Sequence, residues 1–216
     1  MRALFLAAAG SIACGQADEK FGLEAPIASD EQEAYPSGDF GWNVDNVIPN
    51  MAFTGYLHLD PSTLVGRNGI GTVRFSDFYD PDGSRGLRFL LVGIHDAWCP
   101  PSIDQEDFTN GTNYLQGNVM GESFALQYAP KGVRFLTLLQ QGTHYQHDAT
   151  ISDLWIWMSQ HGSRISEALL PSNELELNVI EVAVPYNIII DTRTMRIKAT
   201  YLGFEGSFPE LDALLR

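Results

Sequence analysis

The chain has 216 residues, enough for one domain with extensions. Hydrophobic residues make up 44 % and charged residues 19 %, an ordinary globular balance, and no stretch approaches the ~18 consecutive apolar residues of a membrane-spanning helix. A formal net charge of −14 with no basic stripe argues against a nucleic-acid partner, and two cysteines are too few for a disulfide scaffold or a zinc site.

The N-terminus stands apart. Met1-Arg2 is followed by an apolar run, Ala3 to Ala9, and then by Gly10-Ser11-Ile12-Ala13-Cys14. A positive start, a short apolar stretch and small residues before a cysteine read as a secretion signal over residues 1–14. Its end resembles the lipobox of bacterial lipoproteins, in which the cysteine carries the lipid after cleavage. Ser11 stands where that pattern has leucine. Plain secretion and a cytosolic chain with an apolar start are the alternatives. Residues 15–41 are acidic and dotted with Gly, Pro and Ser, with a single Lys20. Such a tract buries too little apolar surface to offset its ordering entropy and reads as a flexible tether. The folded domain is expected over residues 42–216.

Within it, Val47-Ile48-Pro49-Asn50 leads into Met51 to Tyr56. Thr72 to Phe78 alternates apolar and polar residues before the turn Asp80-Pro81-Asp82-Gly83, which predicts a short edge strand. Leu87 to Ile94 is nearly all apolar, as a strand buried on both faces of a parallel sheet requires. It runs directly into Trp98-Cys99-Pro100-Pro101-Ser102. A helix is expected from Ser102, and a second over residues 122–129, stopped by Pro130-Lys131-Gly132. Val133 to Leu139 predicts another buried strand. Thr150-Ile151-Ser152-Asp153 resembles a capping box with Asp in place of Glu, opening a helix to His161 with Gly162 as its stop. Trp155, Trp157 and Met158 on that helix read as core. Val184-Pro185 precedes a strand to Asp191, Thr192 to Met195 turns, Arg196 to Gly203 returns antiparallel, and a last helix covers residues 208–215. The order β-α-β-α-β-β-α indicates an α/β fold.

Residues 42–216 resemble the thioredoxin-like, redoxin-domain group, especially the exported thiol-disulfide oxidoreductases with a Trp-Cys-Pro-Pro-Cys site. Four segments carry the resemblance: Val47-Ile48-Pro49, the strand into Trp98-Cys99-Pro100-Pro101, Val184-Pro185 before Ile188-Ile189-Ile190-Asp191, and the return strand from Arg196 ending in Gly203-Phe204. It implies a three-layer sandwich, a central mixed sheet with helices on both faces. It also implies that Cys99 is the nucleophile, that Val184-Pro185 is a cis peptide facing it, and that Trp98, Pro100 and Val184 border the substrate.

The residues make a case for Cys99 beside that resemblance. The thiolate is the reactive form of cysteine, and a helix N-terminus favours negative charge there. Pro100 and Pro101 suit a helix start. A small buried side chain is the other reading of Cys99. Ser102 departs from the two-cysteine pattern, so a mixed disulfide has no internal resolving thiol, although the Ser102 hydroxyl can donate to Cys99. Asp96, three residues before Cys99, stands where peroxiredoxins have Thr or Ser, and its anionic form would oppose a thiolate, whereas a protonated His95 would favour one. His144-Tyr145-Gln146-His147-Asp148 follows a parallel strand and so lies on the ligand-binding edge. It reads as a solvated loop, with metal binding or proton exchange with Cys99 as the alternatives.

The expectation is therefore an exported, lipid-anchored protein on the periplasmic or outer face of a bacterial membrane. It would use one thiol, Cys99, in exchange with protein or small-molecule thiols and disulfides, with Ser102 and Pro185 in the site, Cys14 lipidated, and neither cofactor nor metal. A non-catalytic binding or scaffold protein of the cell envelope and a one-cysteine peroxidase are the alternatives.

Overall fold

The computed structural model describes residues 35–113, 118–119, 123–171 and 184–216. The strands are β1 (Ala52–Tyr56), β2 (Ile70–Arg74), β3 (Phe89–Asp96), β4 (Thr112–Asn113), β5 (Asn118–Val119), β6 (Val133–Gln141), β7 (Ser166–Leu169), β8 (Tyr186–Asp191) and β9 (Arg196–Leu202). The helices are α1 (Pro100–Asn110), α2 (Phe124–Tyr128), α3 (Ile151–His161) and α4 (Pro209–Leu214). Seven strands form one mixed sheet in the order β2-β1-β7-β6-β3-β8-β9, and β4 and β5 pair separately.

β3 lies near the middle of the sheet, parallel to β6 and antiparallel to β8. All eight of its residues are buried, which is why its sequence lacks alternation. Leu90, Val92 and Ile94 face a cluster built from the segment between Tyr35 and Phe78. Phe89 and Leu91 face the opposite cluster, with α2 and α4. His95 continues on that second face, against Glu106 of α1 and Trp157 of α3. The steps β3 to β6 and β6 to β7 move in the same direction across the sheet. Right-handed crossovers therefore set α1, α2 and α3 on one face. The third layer is made by the N-terminal segment, whose regular turn is the 3₁₀ helix Phe75–Phe78.

The structure differs from the sequence reading in five places. The strand expected over Thr72 to Phe78 starts at Ile70 and ends at Arg74, and Phe75–Phe78 turn as a 3₁₀ helix instead. Residues 35–41, assigned to the tether, open the described structure: Tyr35 is buried in the core, and its hydroxyl donates to the Ile48 carbonyl at 2.9 Å. β1 and β7 were not expected. They pair through Gly55, where a Cβ would come within 2.2 Å of the Glu167 carbonyl, so only glycine allows the approach. The helix over 122–129 is five residues long and passes into a 3₁₀ turn at Ala129–Lys131. α1 begins at Pro100, earlier than Ser102. The box at Thr150 and Asp153 and the left-handed cap at Gly162 (φ 56°) close α3 as read. Cys14 and the lipobox lie outside the described residues.

Candidate functional site

Three segments meet at Cys99. β3 ends at Asp96, and Cys99 is the N-cap of α1, its N–H donating to the Asp96 carbonyl at 3.0 Å. Pro100 at the first helical position lacks an N–H that would be unpaired there anyway. The Cys99 thiol is 7 % exposed. It donates to the carbonyl oxygen of Val184 at 3.4 Å, and the Val184-Pro185 peptide is cis. The two most diagnostic segments, 85 residues apart, are thus in contact.

Ser102 sits on the first turn of α1, 0 % exposed. Its hydroxyl has no hydrogen-bond partner among the described residues. The donation to Cys99 that this hydroxyl could make is not formed, and the thiol itself donates to Val184. Trp98 is half exposed at 37 %, and Pro100 is exposed. Asp96 is buried, and burial, opposed by a Gln141 backbone bond and by His95, raises its carboxyl to about 6. His95 points to the other face of the sheet, as successive strand residues must, and lies 3.4 Å from Glu106.

The loop after β6 forms the outer rim. The Trp98 indole N–H donates to Gln141 Oε1 at 2.9 Å, and the Gln146 backbone N–H donates to the same oxygen at 2.8 Å. Tyr145 is 63 % exposed and packs edge-on against Trp98, with ring centroids 4.9 Å apart and planes at 86°. His144 and His147 are exposed on this loop, and no group of three His, Cys, Asp or Glu among the described residues could hold a metal.

Behind the thiol, α1 buries a polar face: Ser102, Gln105, Glu106, Asp107, Thr109 and Asn110. Gln105 and Asn187 of β8 exchange amide bonds at 2.7 and 3.1 Å. Glu106 accepts from Asn110 Nδ2 at 2.6 Å and from Thr137 Oγ1 at 2.7 Å. Asp107 lies 2.7 Å from His161. Burial alone would raise Glu106, but hydrogen bonding and charge from His95, with His161 and Thr137, outweigh it and hold the carboxyl below its usual range. Glu167 of β7 is also fully buried, and burial together with the repulsion of Glu106 holds it well above the usual range. This network was missed in the sequence. Its available signal was the polar residues His95 and Thr137 in otherwise apolar strands.

No protein-family profile and no curated protein sequence matches the chain. Solved structures do. A Chlorobium tepidum protein described as a thiol:disulfide interchange protein DsbE is similar over 82 % of this chain and 100 % of its own, at 16 % identity and a TM-score of 0.54. The thioredoxin domain of a Bacteroides vulgatus thiol-disulfide oxidoreductase is similar over the same shares, at 17 % identity and a TM-score of 0.52. This likeness, with a sheet ordered β7-β6-β3-β8-β9, a cysteine capping α1 and a cis proline before β8 in this chain, makes it an α/β protein of the thioredoxin-like fold.

Proposed function

We propose that this is an exported thiol-exchange protein, tethered to a bacterial membrane by lipid on Cys14, with Cys99 as its one working thiol. The observation that carries the reading is the seat of Cys99, at a helix N-terminus with its sulfur against Val184 beside the cis proline. The fold shared with thiol-disulfide proteins supports it. The Cys99 thiolate attacks one sulfur of a substrate disulfide, forming a mixed disulfide and expelling the other half as a thiolate that takes up a proton. A second thiol, from the substrate or a small molecule, then attacks the mixed disulfide and releases Cys99. Ser102 supplies no internal alternative.

The reading is tested by incubating the protein with bis(2-hydroxyethyl) disulfide and looking for the mercaptoethanol adduct by mass spectrometry. A stoichiometric adduct that Cys99→Ala abolishes supports exchange. An unmodified wild type, or an adduct indifferent to Cys99→Ala, sinks it. A second reading, a binding protein that kept the fold and lost turnover, is favoured by the burial of Cys99 and the loss of the second cysteine. It predicts labelling of Cys99 only in denaturant. Lipid attachment is checked separately by incorporation of labelled fatty acid, which Cys14→Ser should abolish.

A further inference from the structure

We propose that Trp98 and Tyr145 form an aromatic corner beside the thiol that selects a cationic side chain next to the reacting cysteine of the substrate. This rests on the exchange reading above and names the substrate class it would serve.

The two rings pack edge to face, at 86° with centroids 4.9 Å apart. Both rings are open to solvent, unlike the many aromatics of the core. An exposed ring pair of this kind costs apolar hydration unless something covers it. The corner is also built. Gln141 Oε1 accepts from the Trp98 indole and from the Gln146 backbone at once, so one side chain fixes both the indole and the loop that carries Tyr145. Gln146 is held at a positive φ of 63° within that loop, and Asp148 bridges back to Gln141.

Charge decides the occupant. The segments that converge on Cys99, residues 96–110, 140–162 and 184–191, contain no lysine or arginine. They do contain Asp104 and Asp148, both exposed, along with the half-buried Asp153 of α3. The exposed basic side chains belong to segments outside these three, Arg67 among them, whose guanidinium lies over Trp155 of α3 at 5.2 Å from the ring centroid. Aromatic faces attract cations, arginine above all, and an anionic surround adds to that attraction. An acidic flank on the substrate would meet repulsion at the same place. An arginine or lysine beside the substrate cysteine therefore fits this corner better than a leucine or a glutamate.

The test uses disulfide dimers of acetyl-X-Cys-Gly-amide, with X as Arg, Leu or Glu, against the full chain. Rates of Cys99 adduct formation are measured in about 1 M NaCl, where a screening length of about 3 Å removes long-range attraction to the acidic chain. The expected result is an Arg dimer about fivefold faster than the Leu dimer. That ratio should persist in Tyr145→Phe and fall to about one in Tyr145→Leu. A wild-type ratio of one or less, with bis(2-hydroxyethyl) disulfide still reacting, overturns the corner and leaves thiol exchange standing. So does an Arg preference that survives in Tyr145→Leu. No reaction with bis(2-hydroxyethyl) disulfide removes the exchange reading and the corner with it.

Discussion

Ser102→Cys is expected to shorten the life of a mixed disulfide on Cys99 by about a hundredfold or more. Position 102 lies on the first turn of α1, three residues from Cys99, and residues so spaced share a helix face. The introduced thiolate would attack Cys99 Sγ, form an internal disulfide and expel the substrate half as a thiol. An intramolecular attack competes at an effective concentration far above about 1 mM of external thiol, which sets the size of the effect. The wild type should accumulate the adduct and the variant should not, as read by quenched mass spectrometry. The same change has a second consequence. The Ser102 hydroxyl is buried without a partner among the described residues, a state that costs about 1–3 kcal/mol, whereas a thiol tolerates apolar surroundings. The reduced variant should therefore be at least as stable as the wild type, by denaturant midpoint. Adduct that persists unchanged in the variant would mean that position 102 cannot reach Cys99 Sγ.

The largest stability effects are expected at the two buried glutamates, and with opposite signs. Glu106→Ala leaves Thr137, Asn110 and His95 facing a void where a carboxylate stood. Removing one member of a buried charged network costs about 3–5 kcal/mol, a large part of the ~5–15 kcal/mol that holds a domain together. Glu167→Gln should do the reverse at neutral pH. The folded-state value of Glu167 is raised above its ordinary 4.5. A raised group contributes its full stability below the unfolded value and loses it as pH rises toward the folded one. The loss runs at about 1.4 kcal/mol per pH unit. Glutamine keeps the shape of the protonated acid and cannot ionise. Guanidinium midpoints of Glu167→Gln and wild type should thus agree near pH 4.5 and separate as pH rises, the variant being the more stable at pH 8. Glu106 has the opposite linkage: its contribution is present above the ordinary value and lost as pH falls. A variant at Glu167 that is equally destabilised at both pH values would show that the carboxyl is ionised and paired.

Much of the site was legible because it rests on local rules. Pro100 and Pro101 mark a helix start, Thr150 with Asp153 marks another, and largely apolar runs mark β3 and β6. These are properties of neighbours in sequence. β7 was not legible, because Ser166-Glu167-Ala168-Leu169 is short and half polar. It becomes a strand only by sitting between β1 and β6. That a helix starts close to Cys99 was legible from Pro100 and Pro101, but its buried face was not. Apolar spacing is the usual guide to the inward side of a helix, and α1 buries Gln, Glu, Asp, Thr and Asn. The rim at Tyr145 was read as an ordinary polar loop because its tie to Trp98 passes through Gln141, a contact across 43 residues.

The polar underside of α1 bears on registration. A helix seated by leucines can slide or roll slightly, since one apolar contact replaces another. α1 has no such freedom. Rolling it would separate Gln105 from Asn187, Glu106 from Thr137 and Asp107 from His161 together. Directed bonds to β8, β6 and α3 act as three separate locating pins, and the sulfur at the tip of the helix is indexed to the sheet by all of them.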